Sequence, residues 1–247
     1  MKHIIPFVLV LILSYSPSQT DISDIEVQIF AKTKREHKTK ELLIAFLKKY
    51  DLTPYLFTRI IIIKSRVLSH SHPVLTINTK HNDDPDRLLS VFLHEQIHWF
   101  AFERKRYTFF AIREFKKIYP NIPVGHPEGA RTEYSSYLHL VVCYLQLQAL
   151  KRYLGEKRAY SIIETNDHYK WIYSTVIKDE KKIESILRKY NLLIEKNYLK
   201  AKSQLLSFTL TTCNLASISK LDKPISGSTW RPTTTHNLIH TVVHLLD

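Results

Sequence analysis

Glycine is scarce in this chain of 247 residues, which contains only four: Gly125, Gly129, Gly155 and Gly227. Loops that cradle phosphate groups need closely spaced glycines, as in G-x-G-x-x-G and G-x-x-x-x-G-K, because their backbone approaches the ligand closely. None of the four glycines stands in such a pattern. The sequence therefore argues against a Rossmann or P-loop nucleotide-binding site.

Cysteine is also rare, since Cys143 and Cys213 are the only two and can form one disulfide at most. This count excludes a disulfide-rich scaffold and leaves the redox compartment open. Hydrophobic residues make up 44% of the chain and charged residues 24%, which is an ordinary globular composition. The chain is also long enough to bury a substantial core.

Positive charge exceeds negative charge, with 36 Lys and Arg against 23 Asp and Glu and a net charge of +13. Basic proteins bind nucleic acids and anionic surfaces readily. Here the basic residues are spread through the chain, and many fall where a helix would face solvent. We interpret them as a solvated surface and expect no nucleic-acid partner. A basic protein that binds nucleic acid or an anionic surface is the remaining alternative.

The N-terminus has the three parts of a secretory signal: a basic start, an apolar run over 4–13 and small polar residues over 14–20. Ser16 and Ser18 satisfy the small-x-small rule for cleavage after Ser18. We therefore predict a signal peptide over 1–18 and a secreted or periplasmic protein. The apolar run is too short for a stable membrane span. An uncleaved N-terminal membrane anchor and a buried N-terminal strand are the alternatives.

After the signal peptide we expect a domain over 19–200 and a C-terminal tail over 201–247. The tail is rich in Ser and Thr and contains His236, His240 and His244 at helical spacing. We interpret this histidine stretch as a short amphipathic helix in preference to a metal site, because it has no acidic residue and no helix cap.

Apolar periodicity and turn residues predict an α+β fold, with a small β-sheet packed on one helix and a mostly helical C-terminal half after it. Asp84 and Pro85 mark the start of that helix, as an N-cap and a proline at the first helical position. The predicted strands lie at 59–64 and 74–80. The predicted helices lie at 38–50, 85–104, 107–117, 130–153, 169–176 and 180–190, with a proline-rich loop at 119–129.

The second of these helices carries an H-E-x-x-H motif formed by His94, Glu95 and His98. Residues four apart lie above one another on a helix, so the two imidazoles can bind one metal ion. Glu95 lies about 100° round the helix from His94. Its carboxylate is then beside the metal, where it can accept a proton from a water molecule. The motif therefore predicts a metal site with a general base.

With this motif on a helix that follows two strands, the chain resembles the zincin metallopeptidases over 38–153. Metzincins have a third histidine soon after the motif, and the segment at 99–104 contains none. The resemblance is therefore to the gluzincin type, without a particular family. It implies Zn²⁺ held by His94 and His98, a zinc-activated water, Glu95 as general base and then acid, and a peptide or protein substrate.

A catalytic zinc site needs a third protein ligand, which in gluzincins is a glutamate on a later helix. Glu133 is our candidate, because it lies on the apolar side of the long helix that follows, where an unpartnered carboxylate is costly to bury. His139 and Glu128 are the alternative ligands. If Glu133 binds no metal, we expect it to form a salt bridge with a basic side chain such as Arg131 or Arg104.

Peptidases also need a donor to the oxyanion of the tetrahedral intermediate. In the gluzincins that this chain resembles, a His or Tyr on a downstream helix has this role. His168 and Tyr169 are our candidates, with Tyr173 and His126 as further ones. Aromatic residues at helical spacing are also typical of a core, and that interpretation stays open.

We therefore expect an exported zinc metallopeptidase. The resemblance adds the expectation that the strand at 74–80 binds extended substrate along its edge. The alternative function is a non-catalytic zincin-like binding protein with a structural or vestigial metal site. Replacing Glu95 by Gln distinguishes the two, because only the peptidase needs the carboxylate. Neither function predicts an oligomeric state.

Overall fold

A computed structural model describes residues 22–194. The predicted signal peptide over 1–18, the tail over 201–247 and Cys213 lie outside the described residues. In the part of the chain that is described, none of the helices is both long enough and apolar enough to cross a membrane.

Three strands and seven α-helices make up residues 22–194. The strands are β1 (Glu26–Ile29), β2 (Ile60–Ile63) and β3 (Leu75–Ile77). The helices are α1 (Lys34–Lys49), α2 (Pro85–Glu103), α3 (Lys105–Ile118), α4 (Glu133–Leu154), α5 (Glu156–Glu164), α6 (Lys170–Lys178) and α7 (Glu180–Lys189). The predicted α+β fold is confirmed, and β1 and α5 are additions to the predicted elements.

The three strands form one parallel sheet in the order β1-β2-β3. Glu26 is in register with Ile60, and Ile61 is in register with Leu75. The central strand β2 is a run of four isoleucines, which suits a strand with a neighbour on each edge. In contrast, the sequence of β1 has no apolar run, and Val27 is the one buried residue of this strand.

The edge of β3 that faces away from β2 is closed by the loop between the two strands. The backbone N–H of Thr76 donates to the carbonyl of His70 (2.8 Å), and the N–H of His70 donates to the carbonyl of Thr76 (3.0 Å). The N–H of Asn78 donates to Oγ of Ser69 (3.0 Å). An extended substrate cannot pair with these occupied groups, so the expectation of a free binding edge at 74–80 does not hold here.

Helix α1 begins before the predicted residue 38, because Thr33 and Glu36 form a capping box. The side chain of Glu36 is fully buried. Its carboxylate accepts hydrogen bonds from the backbone N–H groups of Ala31 (3.0 Å) and Ser65 (2.8 Å). Glu36 therefore joins the start of α1 to the loop that follows β2.

Helix α2 carries the H-E-x-x-H motif, and its predicted start is confirmed. The Asp84 carboxylate accepts from the backbone N–H of Arg87 (3.1 Å), and Pro85 stands in the first turn. The helix packs against α1, β3, α4 and α5. Phe92 on α2 packs against Phe46 on α1, with ring centroids 5.4 Å apart. These contacts shield the motif from bulk solvent.

Helix α4 is the central helix of the C-terminal half and contacts α2, α3, α5, α6 and α7. It ends at Gly155, whose φ of 81° is a left-handed conformation that glycine adopts without a Cβ clash. Because other helices surround α4, its buried residues occur on all its sides.

Candidate metal centre

The two histidines of the motif lie one turn apart on α2, with their side chains directed to the same point. Nε2 of His94 lies 3.2 Å from Nε2 of His98. Two nitrogen ligands about 2.05 Å from a tetrahedral zinc ion would lie about 3.3 Å apart. The observed separation is therefore close to what a shared metal ion requires.

A third imidazole completes the group, and it comes from His139 on α4. One nitrogen atom from each of His94, His98 and His139 lies within 4.8 Å of the other two. The ring of His139 is centred 5.4 Å from that of His94 and 5.0 Å from that of His98. Among the described residues these three form the group that could hold a metal ion, and we call them the histidine cluster.

Glu133, the predicted third ligand, lies outside the histidine cluster. It stands in the first turn of α4, where its side chain is 55% exposed and forms an ion pair with Lys116 (3.3 Å). The prediction assumed that the apolar side of α4 faces the motif. In the structure α4 is surrounded, and the side that meets α2 is the polar one with His139. Glu128 is also exposed, in the loop before α4.

In two of these histidines a hydrogen bond through Nδ1 leaves Nε2 with a free lone pair. Nδ1 of His139 lies 2.6 Å from the carbonyl oxygen of Ser135, which can only accept. Nδ1 of His139 therefore carries the proton, and Nε2 has a free lone pair. His94 makes the equivalent contact through Nδ1 with the side chain of Gln146 (3.0 Å).

The histidine cluster is electrically neutral near pH 7. Burial disfavours an imidazolium ion and lowers the pKa of His94 to about 4. Burial, together with neighbouring His94, lowers the pKa of His139 to about 3. Burial and the other imidazoles also hold the pKa of His98 well below its usual range. Protons therefore compete little with a metal ion for these nitrogens.

Glu95 lies next to His94 on α2 and is only 8% exposed. Burial disfavours the carboxylate ion and raises the pKa of Glu95 to about 8. A carboxyl with such a pKa binds a proton far more readily near neutral pH than an ordinary glutamate does. This is the property that a general base beside a metal ion uses.

These shifts predict how the stability of the metal-free protein depends on pH. The buried histidines bind protons less readily than in the unfolded chain, so they lower the free energy of unfolding as pH falls below 6.5. Glu95 binds its proton more readily when folded, so its contribution is lost as pH rises from 4.5 through about 8. Above pH 6.5 the remaining gain from three histidines partly offsets the loss from Glu95, so stability should peak near pH 7 and then fall by less than the about 1.4 kcal/mol per pH unit of a single titrating group.

Urea unfolding of the chelator-treated protein between pH 5 and 8 measures this profile. In a Glu95→Gln variant the decline above pH 7 should disappear, because the titrating carboxyl is gone. A wild-type stability that keeps rising from pH 7 to 8 would contradict the burial of Glu95.

Of the two predicted oxyanion donors, the structure brings Tyr169 to the histidine cluster. Its ring is centred 4.2 Å from that of His139 and stacks at 5.9 Å from that of His94. Tyr169 precedes α6 with a φ of 61°, in the left-handed region. Burial, with the Glu95 carboxyl nearby, raises the pKa of Tyr169. Its hydroxyl therefore stays protonated and can donate a hydrogen bond.

His168 lies further out than Tyr169 and is exposed to solvent. Its ring is centred 4.7 Å from that of His126 and 6.3 Å from that of Tyr169. The backbone N–H of Lys170 donates to the carbonyl of Pro127 (3.0 Å), which ties the proline-rich loop to the start of α6. His126 and His168 thus pack against each other at the exposed surface, and neither ring contacts a ring of the histidine cluster.

Gln146 contacts His94 of the histidine cluster, and Tyr173 contacts Gln146. The sequence predicted no role for Gln146, and it predicted Tyr173 only as a further oxyanion donor. The hydroxyl of Tyr173 donates to Oε1 of Gln146 (2.8 Å), which also contacts His94. The sequence does hold a signal, because Gln146 falls on the same polar side of α4 as His139. That α2 packs against this side of α4 is known only from the tertiary structure.

The fold and the histidine cluster define a candidate metal centre of the H-E-x-x-H kind with a third histidine from a distant helix. Comparison of the chain with protein families, curated proteins and solved structures finds no match. The resemblance to zincins therefore depends on the motif and its surroundings alone.

Proposed function

We propose that this protein is a zinc-dependent peptidase in which His94, His98 and His139 hold the metal ion. The observation that carries the proposal is the convergence of three neutral imidazoles, two buried and one half-buried, with the buried Glu95 next to His94 in the chain. Catalytic zinc sites typically have three protein ligands and leave one position open, whereas structural sites are closed by four.

The donor set suits zinc. Imidazole nitrogen is a preferred zinc ligand, and three neutral imidazoles leave the full positive charge of the ion available. Zinc in such a site supplies Lewis acidity, which activates a water molecule and polarises a carbonyl group. No other acidic or thiol group joins the three histidines among the described residues.

Glu95 has the role of proton carrier in this proposal. Its carboxylate accepts a proton from the attacking water and then delivers that proton to the nitrogen of the departing amine. Burial raises the pKa of Glu95 to about 8 in the metal-free protein. A nearby dication lowers the pKa of a carboxyl, so in the loaded site Glu95 is ionised at neutral pH.

Tyr169 is the better of the two oxyanion donors. Its ring packs on His139 and His94, and its hydroxyl remains protonated, as a donor must be. His168 is exposed and packs against His126 outside the histidine cluster, so we prefer Tyr169 as the oxyanion donor. We assign to the peptidase a peptide or protein substrate and, from the predicted signal peptide, a location outside the cytoplasm.

The test is a metal analysis followed by a cleavage screen on the full chain. We expect about one zinc per chain, and cleavage of a peptide library that stops on chelation and returns when zinc is added. Bound zinc without any cleavage would favour the non-catalytic binding protein. A folded protein without zinc would refute the metal site itself.

A further inference from the structure

A buried amide, Gln146, connects the two helices that supply the histidine cluster. It lies on α4 and is only 2% exposed. Its Nε2 donates to the carbonyl oxygen (2.9 Å) and Oγ (2.8 Å) of Ser90 on α2. Its Oε1 lies 3.0 Å from Nδ1 of His94 and accepts from the hydroxyl of Tyr173 (2.8 Å). Both ends of the amide are therefore satisfied.

The contact with Ser90 determines which end of the amide faces His94. A carbonyl oxygen can only accept a hydrogen bond, so the amide atom beside the carbonyl of Ser90 must be the Nε2 donor. The atom that faces His94 is then Oε1, which can only accept. Nδ1 of His94 must carry the proton in this contact, and Nε2 is left with its lone pair.

We propose that Gln146 is a positioning residue that holds His94 in the tautomer with Nδ1 protonated, which leaves Nε2 free to bind zinc. The consequence for zinc rests on the proposed function, whereas the tautomer is a property of the metal-free protein. In second shells of metal sites this task usually belongs to a carboxylate, a backbone carbonyl or water. Here it belongs to a neutral amide, which adds no charge to the buried site.

The other tautomer of His94 would block the site. A proton on Nε2 would point toward Nε2 of His98, 3.2 Å away, and would form a hydrogen bond in the place of a metal ligand. Without an acceptor at Nδ1, burial does not disfavour the tautomer of His94 that has Nε2 protonated. Gln146 therefore decides which partner can donate across this contact: with its own Nε2 unprotonated, His94 can only accept, and its lone pair stays available to a metal ion.

Gln146 also sets the position of α4 against α2. Ser90 precedes His94 by one turn of α2, and His139 precedes Gln146 by two turns of α4, so both pairs lie on facing sides of the two helices. The amide thus joins the helix with two of the ligands to the helix with the third. Tyr173 adds α6, the helix that Tyr169 precedes.

The experiment compares Gln146→Met with wild type in the full chain. Methionine has nearly the volume of glutamine but offers no strong acceptor to Nδ1. Nitrogen NMR of the metal-free protein, with His94 assigned from a His94→Ala variant, reports which ring nitrogen is protonated. We expect a protonated Nδ1 in wild type and a shift toward protonated Nε2 in Gln146→Met, with zinc affinity lower by about 10–100-fold.

A control variant separates positioning from general loss of stability. Gln148→Met makes the same change on the same helix, where the amide donates to Glu180 (2.8 Å) instead. This control should keep the wild-type tautomer and bind zinc within about threefold of wild type, less than the typical second-shell effect.

The inference is overturned if Nδ1 of His94 is unprotonated in the wild-type metal-free protein, a measurement that does not depend on whether any variant folds. It is also overturned if Gln146→Met keeps the wild-type tautomer and zinc affinity. A wild-type protein that shows the expected tautomer but binds no zinc would refute the proposed function and support the role of Gln146 in fixing the tautomer.

Discussion

Replacing Glu95 by Gln is expected to lower kcat by about 10²–10⁴-fold while the protein keeps its zinc. Glutamine has the shape of glutamate but cannot accept a proton, so the attacking water loses its base. The nitrogen ligands that we propose are the three histidines, and this substitution changes none of them. The measurement is the rate of cleavage of the best peptide from the screen, with zinc content determined on the same sample.

The matched control for this change is Glu133→Gln. It makes the same substitution at an exposed carboxylate that pairs with Lys116 and lies outside the histidine cluster. Its cleavage rate should stay close to that of wild type. If Glu95→Gln also kept more than a tenth of the wild-type rate, Glu95 would not be the general base.

Replacing His139 by Ala is expected to weaken zinc binding by more than about 100-fold, beyond what loss of an outer-shell partner usually costs. The change removes one of the three proposed ligands and leaves a buried gap where an imidazole stood. Glu133→Ala, on the same helix, should leave zinc affinity unchanged because its carboxylate is directed to Lys116 and solvent. Competition with a chelator of known affinity measures both values.

This pair of variants decides between the ligand that the sequence favoured and the one that the structure brings to the site. If Glu133→Ala lost zinc and His139→Ala kept it, the third ligand would be Glu133 and the proposed role of His139 would be refuted. If both kept zinc, the ion would be held elsewhere. A thermal melt of each variant establishes that the comparison is made between folded proteins.

Much of the fold could be predicted because its signals are local. Asp84 and Pro85 mark the start of α2 through contacts within one turn, and Gly155 ends α4 through its own backbone conformation. The isoleucine run of β2 is apolar throughout and needed no partner to be recognised. In contrast, β1 has only Val27 buried, and its strand forms because β2 supplies the hydrogen bonds.

The sequence by itself determined the half of the site that lies within one helix. His94, Glu95 and His98 have their mutual arrangement from the geometry of a single turn, so their spacing was sufficient. The tertiary structure alone decided the third histidine and its supports. His94 meets Gln146 across 52 positions of the chain, and the polar side of α4 that carries His139 and Gln146 does not show by itself that α2 is its partner. The choice of His139 over Glu133 is therefore a consequence of helix packing, which local sequence does not encode.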